Sequence, residues 1–347
     1  MWPTGSKRRP ARAAATARRP PRRRPGRTAR RPPRPRARLS ASPGRLGNQV
    51  FAGISTGAGI VILLVLAAVA GFLLLRSWPA LTAPADALAE VGFLNGRSLG
   101  SYVAPLVFGT LVSSFLALVM AVPMSIAIAL FISHYAPRRL AQGLGYLVDL
   151  LAAIPSVVYG MWGMAWLVPL LGPLFAWLSE NLGFVPVFAG FQAPAKNLMS
   201  AAVVLAVMVL PIVTATVREV FLQTPRLHEE AALALGATRW EMIRMAVLPF
   251  GRSGMVSAAM LGLGRALGET MAVLMILSPG FLINFYVLKP GQHQSIAANI
   301  ANQFPEASGL GADVLIATGL ALFAITFAVN LVARWVVARR AEFSGAN

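Results

Sequence analysis

In GLGRALGET, residues 262–270, two full charges stand inside an apolar run, with MVSAAML before them and MAVLMILS after. Arg265 and Glu269 are four residues apart, a spacing that puts both side chains on one face of a continuous helix. A charged side chain near a bilayer centre costs roughly 2.5–3.5 kcal/mol on insertion scales, so it faces a partner or a water-filled path. Two readings are open. The pair is either a structural ion pair that holds its helix to its neighbours, or a gate on an anion path. In the second, the planar guanidinium fork of Arg265 grips an oxyanion with two parallel hydrogen bonds, and Glu269 competes for Arg265 when the anion must leave. Asp149, Ser156 and Tyr159 are further polar groups inside an apolar segment and candidates to line such a path. For Asp149 the alternative is a place among the cytoplasmic headgroups.

Other chemistry is excluded by composition. The chain has no cysteine, and its three histidines, His134, His228 and His293, are too scattered for a metal site. Its only lysines, Lys7, Lys196 and Lys289, do not follow glycine, so no phosphate-cradling G-x-x-x-x-G-K-[ST] loop exists. No nucleophile–base pair stands out either. The glycines of GLGRALG read as helix-packing residues, because Ala258, Gly262, Ala266 and Thr270 recur every four positions and make one small face.

The elements that must position these residues cross a membrane. Of 347 residues, 56% are hydrophobic and only 12% charged, against about 25% charged in a soluble domain. The expected fold is an all-α membrane protein with six spanning helices, at about 50–75, 103–132, 145–171, 199–217, 254–277 and 314–337. The Gly- and Pro-broken stretch 172–197 is expected as an outer loop lying on or dipping into the bilayer. Residues 1–46, rich in Arg, Pro and Ala and without an acid, are expected as a disordered arm, and 47–340 as the membrane domain. The arm has charge enough for lipid or nucleic acid, but its plain reading is a solvated cytoplasmic segment that sets orientation, with no specific nucleic-acid partner. Arg138, Arg139, Arg218, Arg226, Arg239, Arg244, Arg252, Arg334, Arg339 and Arg340 then all fall on the arm's side, which puts both termini in the cytoplasm.

The longest inner loop, 224–250, reads TPRLHEEAALALGATRWEMIRMAVLPF. Thr224 is placed to cap a helix with Pro225 at its first position, and Gly236 to end that helix in the left-handed region. Thr238 and Glu241 then fit a capping box for a second helix, which Pro249 closes. Such a hairpin is either a docking knob or an amphipathic connector on the membrane surface.

Glu230-Ala231-Ala232, Gly236 three residues on, and Leu248-Pro249 match the EAA-x3-G-x9-I-x-LP loop of bacterial ABC importer permeases, with Ala246 in the isoleucine slot. The stretch 234–273, with LLAAIPSVVYGMWG and FGTLVSSFLALVMAVPMSIAIALFI, resembles the PstC-type permeases of phosphate-specific ABC importers, and GRALGET favours that type over the companion PstA type. The resemblance extends over most of residues 100–280 and leaves out the arm. It implies that the hairpin is an EAA-type coupling element that inserts into a cleft of an ATPase subunit, with Glu230, Ala231, Ala232, Gly236, Leu248 and Pro249 as its coupling residues. It also implies a bacterial cytoplasmic-membrane protein that holds no cofactor. Its expected partners are a PstA-like permease, a PstB-like ATPase dimer that supplies ATP and Mg, an extracytoplasmic phosphate-binding protein and membrane lipid. Arg265 and Glu269 would then gate phosphate. The rival readings are a permease of the same class for another solute, and a channel or carrier with no ATPase.

Overall fold

The computed structural model describes the backbone of residues 44–341 and the side chains of 47–335. In chain order its α-helices are α1 (Gly44–Thr82), α2 (Ala85–Ala89), α3 (Leu99–Leu130), α4 (Arg138–Ala152), α5 (Ser156–Trp162), α6 (Val168–Leu182), α7 (Leu198–Leu222), α8 (Arg226–Ala234), α9 (Arg239–Met242), α10 (Leu248–Leu267), α11 (Met271–Ile276), α12 (Ile296–Gln303) and α13 (Leu310–Ala341). No strand occurs among the described residues. The arm lies outside them except for its last three residues, which begin α1. The chain divides inside α1 into units 1–60 and 61–347. The described part of the first is helical and largely exposed; the core and all the later spans belong to the second.

Among the described residues, six helices are long and apolar enough to span a bilayer: Gly47–Thr82, Leu99–Tyr135, Ser156–Leu182, Leu198–Leu222, Arg239–Leu267 and Leu310–Trp335. The third differs from the expected 145–171. The apolar run there belongs to two helices, because Pro155 cannot donate a backbone hydrogen bond and disfavours helix in the residue before it. Before the break lies α4, a separate amphipathic helix outside the span; after it, the spanning helix starts at Ser156 and runs to Leu182. Residues 172–182 are therefore helix rather than outer loop. The fifth span also differs from 254–277, since it starts at Arg239 and stops at Leu267.

Two prolines inside these spans follow π turns. The turn Gly163–Leu167 precedes Pro169, and Ile243–Val247 precedes Pro249. A wider turn relieves the clash between a proline ring and the carbonyl four residues back. This corrects the expectation for Pro249, which continues a helix instead of closing one.

The core is built on α7, whose Val204, Leu205, Met208, Val209, Val213 and Val217 are each at most 1% exposed. Lipid supplies no hydrophobic drive between helices, so close approach of small residues must supply dispersion contact. The α10 face does this: Gly254 lies against Val220, and Gly262 against Val209 and Val213. Ala258 and Ala266 are buried on that face, as their spacing implies, while Thr270 lies beyond the helix end. On α3, Ser125 donates its hydroxyl to the carbonyl of Leu210 at 3.1 Å. A second cluster joins Ala80, Leu94, Tyr102, Leu106, Ile296 and Val314 at the end away from the α8–α9 hairpin. Asn299 donates there to the Tyr102 hydroxyl at 2.8 Å.

Candidate substrate cleft and coupling hairpin

The helix that carries Arg265 ends two residues later. Gly268 donates its N–H to the carbonyl of Gly264 at 3.3 Å and caps α10. Glu269 is consequently on no shared helical face with Arg265. It is 7% exposed, and its Oε1 accepts from the N–H of Ala272 at 3.2 Å, so it serves the start of α11. The three ion pairs among the described residues are Arg76–Asp313, His134–Glu229 and Arg218–Glu219, at 3.0, 3.5 and 2.8 Å. The expected Arg265–Glu269 pair is absent from them, and the correction has a local cause: the helix on which the four-residue rule depends stops at Leu267, before it reaches Glu269.

Arg265 instead points its charge into a cleft of about 710 Å³ between α7, α10 and α13. Its Nε is buried without a hydrogen-bond partner. Ile212, Ser257 and Gly264 line the cleft beside it, with Asn330 and Arg334 from α13, and among the described residues no acid does. Asn330 and Arg334 were missed as site residues. Their signal was the same as that of the opening pair, two polar groups four residues apart in an apolar helix, but Arg334 reads as an orientation charge when loops are counted.

None of the three further path candidates lines this cleft. Tyr159 is buried and donates its hydroxyl to the carbonyl of Leu151 at 2.9 Å, bracing the break between α4 and α5. Ser156 is the half-buried first residue of α5, and Asp149 is exposed on α4.

The hairpin is set by local chemistry. Pro225 occupies the cap position of α8, and Thr224 leaves its buried hydroxyl unpartnered, so the expected threonine cap is not formed. Gly236 has φ +85, in the left-handed region that favours glycine. Thr238 and Glu241 form the reciprocal capping box: the Thr238 N–H donates to Glu241 Oε2 at 2.8 Å, and the Glu241 N–H to Thr238 Oγ1 at 3.3 Å. Ile243 and Val247 are buried beneath the hairpin, whereas Trp240 is exposed. Neighbouring acids point to different tasks. Glu229 reaches back to His134 at the end of the second span, whose ring also meets Phe221 edge-on. Glu230, Ala231, Gly236 and Pro249 face outward, while Ala232 and Leu248 pack against the core. Leu227 and Leu235 are 75% and 90% exposed.

At the opposite end, His293 is buried with its ring against Phe108, and its Nε2 donates to the carbonyl of Asn284 at 2.8 Å. Burial disfavours the charged imidazole and lowers its pKa below the ordinary value, more than the carbonyl contact raises it.

A family model described as "Binding-protein-dependent transport system inner membrane component" matches residues 121–342. The chain is 45% identical over 300 residues to "Phosphate transport system permease protein PstC 2" of Mycobacterium tuberculosis, covering 84% of this chain and 92% of that protein. It is 40% identical over 293 residues to "Phosphate transport system permease protein PstC" of Pasteurella multocida, covering 81% and 88%. Among solved structures, a chain of a bacterial ABC transporter involved in alginate import has a TM-score of 0.54 at 16% identity, covering 84% of this chain and 99% of that one, which is a likeness of fold. The six spans, the glycine-turned hairpin and these likenesses together place the chain: it belongs to the family of binding-protein-dependent importer permeases, in its PstC group.

Proposed function

We propose that this chain is one of two permease subunits of an ATP-driven importer that carries inorganic phosphate into the cytoplasm. The observation that carries the reading is the buried, unpartnered Nε of Arg265 in a cleft that no acid lines among the described residues, in a chain 45% identical to a protein named as a phosphate transport permease. Arg265 binds the passing oxyanion. Glu269 acts on the path indirectly, by fixing where α11 starts beyond the helix that carries Arg265. The partners are a PstA-like permease, a PstB-like ATPase dimer holding ATP and Mg, and an extracytoplasmic phosphate-binding protein, with both termini of this chain cytoplasmic. The hairpin docks on the ATPase through Glu230, Ala231, Gly236 and the apolar side chains beside them. ATP binding closes the ATPase dimer, draws the hairpins together and rocks the spans between inward- and outward-facing states.

The test is phosphate uptake by vesicles in which the assembled complex is quantified. Hydrogen bonds to a charged group are worth about 1.5–3 kcal/mol, so Arg265→Gln is expected to lower uptake per complex roughly 10- to 100-fold. Arg265→Lys restores charge without the fork and should recover only part. Wild-type uptake by Arg265→Gln would remove Arg265 from the path.

A further inference from the structure

The cleft that holds Arg265 has a second guanidinium. Arg334, on α13, lines it together with Asn330 one turn earlier. The two helices run in opposite directions. From the hairpin, α10 climbs to Leu267, whereas α13 starts with Val314 in the cluster at the far end and descends. Ser257 and Arg265 both line the cleft and are eight residues apart, which makes it about 12 Å long along α10. Arg265 marks the end away from the hairpin, and Arg334, near the foot of α13, the end toward it.

The donors in the cleft are specific. Ser257 spends its proton on the carbonyl of Ser253 at 3.0 Å, so it offers only lone pairs. Asn330 spends one amide hydrogen on the carbonyl of Thr326 at 2.9 Å and keeps the second. Neither arginine has a carboxylate within 4.0 Å among the described residues. Two guanidiniums and a free amide hydrogen, with no acid on the walls among the described residues, make a site for an anion with several oxygens. A residue that only set orientation would need no cleft and no second donor beside it.

We propose that Arg334 and Asn330 form a second oxyanion station at the hairpin end of the cleft, which takes phosphate from Arg265 before release. This rests on Arg265 being the first station. The shared chemistry, a phosphate-type oxyanion, has two sources: inorganic phosphate in transit, or the headgroup of an anionic lipid reaching the exposed Arg334.

The experiment uses the whole complex in vesicles loaded with inorganic phosphate on the hairpin side, and measures how that phosphate inhibits uptake relative to each variant's own uninhibited rate. Arg334→Gln is expected to need at least fivefold more phosphate for half-inhibition, Asn330→Leu a smaller shift in the same direction, and Arg334→Lys to return most of the sensitivity. Unchanged half-inhibition in both Arg334→Gln and Asn330→Leu overturns the second station, and Asn330→Leu carries the test alone if Arg334→Gln does not assemble. The measurement is repeated in phosphatidylcholine vesicles with and without phosphatidylglycerol. A shift that persists without the anionic lipid supports phosphate, and a shift that needs it assigns the station to a headgroup and overturns the proposal. Loss of uptake in Arg265→Gln with no shift in the α13 variants sinks this inference alone; normal uptake in Arg265→Gln sinks the transport reading beneath it.

Discussion

No atom lies within 4 Å of the place where a side chain on Gly236 would begin. The obstacle to substitution there is the backbone, held at φ +85, where an L-residue is strained by about 1 kcal/mol or more and a β-branched one by more. Gly236→Val should therefore insert normally, yet its assembled complex should hydrolyse ATP with little phosphate uptake, while Gly236→Asn, which tolerates that region, keeps most of the coupling; the ratio of ATP hydrolysed to phosphate accumulated separates them. Glu269 shows the opposite kind of dependence. Glutamine keeps a carbonyl oxygen for the Ala272 N–H, so Glu269→Gln is expected to lower uptake less than threefold. Glu269→Leu leaves a buried N–H unpaired at about 1–3 kcal/mol and should lower thermal stability of the purified complex measurably. Gly236 and the Thr238–Glu241 box were legible in the sequence because their geometry is decided within four residues. The Arg265–Glu269 pair was misread for an equally local reason, since α10 stops at Leu267, between the two residues.

Helix packing turns on which glycines are covered. A Cβ at Gly262 would stand 2.7 Å from a methyl of Val209 and 2.9 Å from one of Val213, whereas Gly264, two residues on, meets nothing within 4 Å. Overpacking a tight helix contact costs about 1–3 kcal/mol. Gly262→Ala is thus expected to lower the thermal midpoint of the purified complex, and Gly264→Ala to leave it unchanged; equal effects would show that α10 does not seat against α7 through this face. The four-residue spacing of small residues made this face readable in advance. Hydropathy could not show that the third apolar run is two helices. An amphipathic helix followed by a span reads as one long segment, and the only mark of the junction is Pro155.

At the scale of the molecule, the end away from the hairpin is held by buried polar groups, and one of them titrates. Burial lowers the His293 pKa below its ordinary 6.5, so the unfolded chain takes up a proton there more readily than the folded one. The resulting stability is present above about pH 6.5 and is lost as pH falls toward the depressed value. Unfolding temperatures measured from pH 7.5 down to 5 should fall in the wild type, and His293→Asn should remove part of that slope. The placement of this histidine was beyond the sequence, because it depends on Phe108, 185 positions earlier in the chain. The opposite end raises a different matter. Leu227 and Leu235 stand exposed on the hairpin outside the spans, and Trp240 stands exposed where the fifth span begins. Uncovered apolar surface of that kind is what chaperones and proteases act upon. A subunit made in excess of whatever covers its hairpin would be cleared by cellular quality control, so the amount of this protein in a cell would follow the supply of its neighbours rather than its own rate of synthesis.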